Sequence, residues 1–171
     1  MGWLFTRQQT RAQLIEELTR DQESNGVTRK CLKQSTASNV LWTVWEITGP
    51  GEKVDRYIGC DLMACQRGYG WGYKDMCESM GPCYYSCPLA YLDMVPVANA
   101  DWREQVRAYH AARNRKVNVG DLLVFEGLSI PEATVVEKRG RRLIGEYAGC
   151  RYRLSPQVLA KVVDQRPVRN P

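Results

Sequence analysis

In this chain of 171 residues the side chains able to do chemistry are few: seven cysteines, one histidine, and arginines crowded toward one end. Cys77, Cys83 and Cys87 are separated by five and three intervening residues, and Cys60 or Cys65 is within reach as a fourth thiolate for a tetrahedral metal. The spacing is not that of paired CxxC knuckles and no histidine lies nearby, so no metal is expected. An odd set of cysteines on a chain without an evident export signal reads instead as buried free thiols, since a free cysteine behaves as a small hydrophobe. His110 is the only imidazole and falls mid-helix among arginines, which leaves Cys–His and Ser–His catalysis poorly served. The carboxylate pairs Asp75/Glu78 and Glu16/Glu17 have nothing to fix a substrate between them. The chain has no P-loop, GxGxxG or HExxH. A non-enzymatic protein without a cofactor is expected; a small enzyme using Lys74 with Asp75 or Glu78 is the competing class.

Two stretches carry binding chemistry. Residues 68–88 read GYGWGYKDMCESMGPCYYSCP. Rings alternating with glycines can be held flat for stacking or folded over a core. Tyr69, Trp71, Tyr73, Lys74, Asp75 and Glu78 form a candidate contact set for a partner, or an internal ion pair that pins a long loop. The second stretch is basic. Lys138, Arg139, Arg141 and Arg142 surround Gly140 at a predicted hairpin tip, and Arg151 and Arg153, two apart, share one face of the next strand. Six cations on one small module can neutralise several phosphates of DNA or RNA, with Tyr147 and Tyr152 as the nearest rings for base stacking. The alternative is a charged tip that keeps an exposed strand edge from aggregating.

The charge is unevenly placed. Residues 1–114 hold 13 Lys/Arg and 13 Asp/Glu, whereas 115–171 hold 11 against 6, so the net +5 lies in the last third. A hydrophobic share of 44% is that of an ordinary globular chain, and no run reaches the roughly 20 apolar residues of a membrane helix. A soluble cytoplasmic protein with no membrane partner is expected.

The elements that must position these residues read as α+β. Thr10 and Gln13 fit a capping box, and Leu14, Ile15 and Leu18 predict a helix over 11–22, ended by Asn25-Gly26. Thr28–Gln34, Asn39–Thr48 and Arg56–Cys65 predict a three-stranded antiparallel meander, with turns at Ser35–Ser38 and Gly49–Glu52. Ile58, Cys60, Leu62 and Ala64 fall on the core face of the third strand. Residues 68–88 then form a long ordered loop, with a turn at Gly81-Pro82. One helical turn follows at Pro88–Leu92. A second helix runs from the Asp101/Glu104 capping box to about Asn114, burying Trp102, Val106 and Tyr109, with Arg103, Arg107 and His110 on its wet side. Four short glycine-punctuated strands and the run Ser155–Val163 predict a small SH3-like β-barrel. The predicted domains are 1–114, 115–165 and a flexible tail over 166–171.

The words WGYKDM at 71–76, ES at 78–79, GP at 81–82 and CPLAYLDMVP at 87–96, together with the opening MGWLF, resemble a family of small, largely uncharacterised proteins of phages, plasmids and integrated elements. The resemblance covers the first 97 or so residues. It implies a mobile-element setting, in which proteins handle DNA or RNA or blunt host defences, and it supplies no catalytic residues. The family pattern carries an acidic residue at Cys77, which weakens that cysteine as a ligand. The leading expectation is a nucleic-acid-binding protein using the basic C-terminal surface. The alternative is an anti-CRISPR or anti-restriction inhibitor that meets a host defence complex through Trp71–Glu78.

Overall fold

The computed structural model describes residues 8–51, 54–80, 83–140 and 142–167. Of these, 47% are in strands and 23% in helices. The protein is mostly β, with two five-stranded antiparallel sheets in place of the expected α+β arrangement. The chain divides into two compact units, Met1–Arg103 and Glu104–Pro171.

In the first unit, helix α1 (Arg11–Thr19) starts on the expected capping box: Thr10 accepts from the Gln13 backbone N–H while the Gln13 side chain accepts from Thr10. The helix stops at Thr19 because the next residues pair as a hairpin, β1 (Gln22–Ser24) with β2 (Val27–Ala37). Asn25 and Gly26, at φ 52 and 74, are the two left-handed residues of its turn. Such Asn-Gly turns match the twist of the strands they join, so this dipeptide starts a sheet here and does not cap a helix.

The sheet continues through β3 (Val40–Thr48), β4 (Val54–Gln66) and β5 (Gly70–Cys77) in sequential order. The expected turn at Ser35–Ser38 is mostly strand, with the reversal at Ser38 and Asn39. Glu52, in the next expected turn, lies outside the described residues, as do the N-terminal MGWLF and Gly81-Pro82. β3 is buried along six consecutive residues, so it is covered on both faces. On one face, Leu14 of α1 packs on Leu41 and Met63, flanked by Ile15, Leu18, Trp71 and Tyr73. On the other, Trp42 meets Trp102 with ring centroids 6.3 Å apart. Of the residues assigned to the core face of β4, Ile58 and Cys60 are fully buried, and Leu62 and Ala64 are half-buried.

The largest correction falls on the ring-and-glycine segment. Residues 70–77 are a strand paired along its length with β4, not a loop. Period-2 alternation sends Trp71 and Tyr73 to the α1 face and the glycines to the opposite one. Gly70, at φ +77, is required by a close approach: a Cβ there would lie 2.6 Å from the Gln9 backbone nitrogen.

A 3-10 turn (Glu78–Met80) and a single turn α2 (Leu89–Leu92) lead to α3 (Ala100–Asn114). Its cap is Asn99, whose Oδ1 accepts from the Trp102 N–H, not the expected Asp101.

The second unit is the ladder β6 (Asp121–Phe125), β7 (Glu132–Arg139), β8 (Arg142–Tyr147) and β9 (Cys150–Arg153). A turn of helix, α4 (Pro156–Leu159) capped by Ser155, then brings β10 (Val162–Pro167) back onto β6. The order is β10-β6-β7-β8-β9. The expected SH3-like barrel is corrected to an open sheet, since among the described residues no pairing joins its outer strands β9 and β10. One face carries a core built around Leu123, Val135, Leu143, Leu154 and Val117. Arg166 and Pro167 belong to β10, and 168–171 lie outside the described residues.

Candidate functional site

Alternation and register on β7, β8 and β9 decide where the basic residues go. Leu143 points to the core, so its cross-strand partner Lys138 shares the inner side and donates from Nζ to the Val117 carbonyl at 2.7 Å. Arg139 and Arg142 oppose one another across the hairpin on the outer face. Arg153, opposite Ile144, and Arg151, opposite Glu146, continue that face onto β9. All four arginines are exposed. Two carry carboxylate partners: Arg139 with Glu137 at 2.8 Å, and Arg151 with Glu146 at 3.4 Å. Arg142 and Arg153 make no ion pair among the described residues. Arg141 lies outside the described residues.

These ion pairs are solvent-exposed, so each contributes little to stability and is readily exchanged for another anion. The like-charged opposition of Arg139 and Arg142 disfavours the hairpin by a few tenths of a kcal/mol or more. An anion placed beside the pair relieves that repulsion. The charge of the whole unit agrees: Glu104–Pro171 holds 13 Lys/Arg and 7 Asp/Glu, net +6, against 11 and 12, net −1, in Met1–Arg103. Tyr147 packs against the core, and Tyr152 is half-buried.

The second predicted site separates into different environments. Tyr69 is 61% exposed at the turn before β5. Trp71 and Tyr73 pack beneath α1, with the Arg11 guanidinium 5.8 Å from the Trp71 ring centre. Lys74 is half-buried on the opposite side of the strand, and Asp75 is exposed. Glu78 is buried. Its carboxylate accepts from Arg103 Nε at 2.6 Å and Nη2 at 2.8 Å, and from the Ala98 and Asn99 backbone N–H groups. Burial pushes this carboxyl up, but Arg103 and the two backbone donors outweigh it and hold it below the usual range.

Arg103 is the residue sequence reasoning missed, having been placed on the wet side of its helix. It also donates to the Leu92, Val95 and Pro96 carbonyls, saturating a buried guanidinium. Its place one position from the Trp102–Val106 stripe was the available signal. The cysteines are all free thiols. Burial first and Cys83 next push Cys87 up to about 12, so it stays protonated. No group of three or more potential metal ligands converges among the described residues.

No family model, curated protein or solved structure gives a match to this chain. Among the described residues no helix is long and apolar enough to cross a membrane.

Proposed function

We propose that the protein binds nucleic acid, without catalysing a reaction on it, through the outer face of β7, β8 and β9. The observation that carries this reading is the arc of Arg139, Arg142, Arg153 and Arg151 on one exposed sheet face of a unit with net charge +6. Such a face engages phosphates as point charges and forks. It fixes the position of the strand or duplex while reading little of its sequence. Glu137 and Glu146 exchange their arginines with the phosphates on binding. The setting implied by the WGYKDM…ES…GP…CP resemblance, a mobile element acting in the cytoplasm, agrees with a protein that handles DNA or RNA.

Fluorescence anisotropy with labelled duplexes of unrelated sequence tests the reading. Similar affinities for each duplex, lost together in Arg142→Glu/Arg153→Glu, support it. Unchanged binding in that double variant, or no binding by the parent protein at low salt, refutes it. The competing use of residues 71–78 as a protein contact has less support, because Trp71 and Tyr73 are partly buried against α1 and Glu78 is buried.

A further inference from the structure

On the inner side of the β7–β8 hairpin, away from the arginine face, a cleft of about 320 Å³ opens between the end of α3, the hairpin and α4. Its floor is aliphatic, since Leu143, Leu154 and Leu159 of the core also line it. Its rim is cationic. Arg113 and Arg115 come from the end of α3 and the residue just after it. Lys138 comes from β7, and its ammonium is held at the cleft wall by the Val117 carbonyl at 2.7 Å. All three are exposed. Among the described residues no Asp or Glu lines the cleft, and no ion pair reaches any of its three cations.

The dipole of α3 favours a cation in its last turn, which accounts for Arg113. It does not account for Lys138, which arrives from a different element, or for the missing counter-charge. Three like charges gathered at one cleft repel one another. Their protein acceptors are few: Arg115 Nη2 donates to the Val162 carbonyl over a long 3.4 Å, and Lys138 uses one of its three N–H groups on Val117. Arg113 lies 5.9 Å from the Tyr109 ring centre. Most N–H donors at this rim thus have no protein acceptor among the described residues.

The matching ligand carries more than one negative charge at one end, several acceptor oxygens, and a body that rests on aliphatic side chains. A phosphomonoester supplies the head, with about −1.5 to −2 charge at neutral pH and three terminal oxygens. A backbone phosphodiester or a single carboxylate brings only one charge. The Asn114 amide beside the floor suits a body with polar edges, such as a nucleoside, and would be left unpaired by an acyl chain. The volume is at the lower end of the roughly 300–1,000 Å³ of small-molecule sites, which suits one nucleotide and not a run of them.

We propose that this cleft binds a nucleoside 5′-monophosphate, with Arg113, Arg115 and Lys138 on the phosphate and the nucleoside over Leu143, Leu154 and Leu159. The same chemistry arrives as a free nucleotide or as the 5′-phosphorylated end of a strand. Gly140 at the hairpin tip lines the cleft, so a strand held on the outer face has a short path to it. That second source rests on the nucleic-acid reading; the free nucleotide does not.

Isothermal titration calorimetry of the whole protein at low salt tests the proposal. Adenosine 5′-monophosphate should bind saturably and adenosine should not. Cyclic 3′,5′-adenosine monophosphate, a singly charged diester, and inorganic phosphate, which lacks the body, should each bind at least about tenfold more weakly. Arg115→Gln and Lys138→Gln should each weaken the monophosphate by about tenfold or more, the scale of one charge-assisted hydrogen bond. Arg142→Glu/Arg153→Glu should bind it as the parent does, even where duplex binding is lost, which separates this site from the outer face. A 5′-phosphorylated tetranucleotide distinguishes the sources: tighter binding than the free nucleotide points to a strand end, and equal or weaker binding points to the nucleotide itself. Equal affinity for the monophosphate and the cyclic diester, or for the monophosphate and inorganic phosphate, overturns the proposal. So does the absence of saturable binding, or unchanged affinity in folded Arg115→Gln and Lys138→Gln proteins. Should either variant lose its native circular dichroism, the comparison of probes on the parent protein still decides.

Discussion

Glu78 and Arg103 meet in a buried, two-pronged ion pair, Nε to Oε1 at 2.6 Å and Nη2 to Oε2 at 2.8 Å, although 25 residues separate them. Among the described residues every other hydrogen bond of the pair is to backbone: two N–H groups donate to the carboxylate and three carbonyls accept from the guanidinium. The pair therefore fastens the end of β5 to the whole connection that runs from residue 92 to the start of α3. The stretch that suggested a recognition loop ends on a structural bolt.

Removing one partner should be costly, because it leaves the other charge buried. Arg103→Ala or Glu78→Gln is expected to destabilise the protein by about 3–5 kcal/mol, measured by urea denaturation. The shift in Glu78 adds a pH signature. Its folded pKa is depressed, so its stabilisation is present above the unfolded carboxylate value and is lost as pH falls through the folded one. The parent protein should lose stability in acid more steeply than Glu78→Gln.

Asp61 carries the opposite sign. Burial first and Asp75 next push it up to about 7, against the opposing pull of Arg29, with Tyr73 and Tyr57 as further titratable neighbours. The folded protein thus keeps a proton there that the unfolded chain has released. This contribution is fully present below the unfolded value and disappears as pH rises through about 7. The melting temperature should fall between mildly acidic and mildly alkaline buffer, and Asp61→Asn should flatten that fall. A parent and variant with parallel profiles would refute the assignment.

At Gly70 a side chain meets backbone, not a yielding neighbour, and the residue sits at φ +77. Gly70→Ala should cost about 1–3 kcal/mol, the range for overpacking combined with an unfavourable dihedral. Gly68, at φ +88 with nothing within 4 Å of where a Cβ would stand, isolates the dihedral effect alone. Gly68→Ala should therefore cost less than Gly70→Ala in the same chemical denaturation.

Legibility varied with how far each feature depends on residues distant in sequence. β3 was plain because burial on both faces demands a continuous apolar run, and NVLWTVWEIT supplies it. β5 was obscured because glycines dilute strand propensity. What makes them acceptable, such as the backbone of Gln9 beside Gly70, comes from elsewhere in the chain. The Asn25-Gly26 turn could have been recognised, since the dipeptide favours a hairpin over a helix end. The arginine face was legible in residue type and alternation. Its partial neutralisation was not foreseen, although Glu137 and Glu146 stand at strand spacing on the same side. The Asp61–Asp75 opposition depends on the register of β4 with β5, which no local pattern specifies.

The most direct test of the account is the salt dependence of duplex binding by the parent protein and by Arg142→Glu/Arg153→Glu. If the outer face of β7–β9 contacts phosphates, log K for the parent falls linearly with log salt concentration. The double variant should then bind more weakly at every salt concentration, with a slope shallower by about one unit per lost contact. Identical slopes and affinities for the two proteins would contradict it.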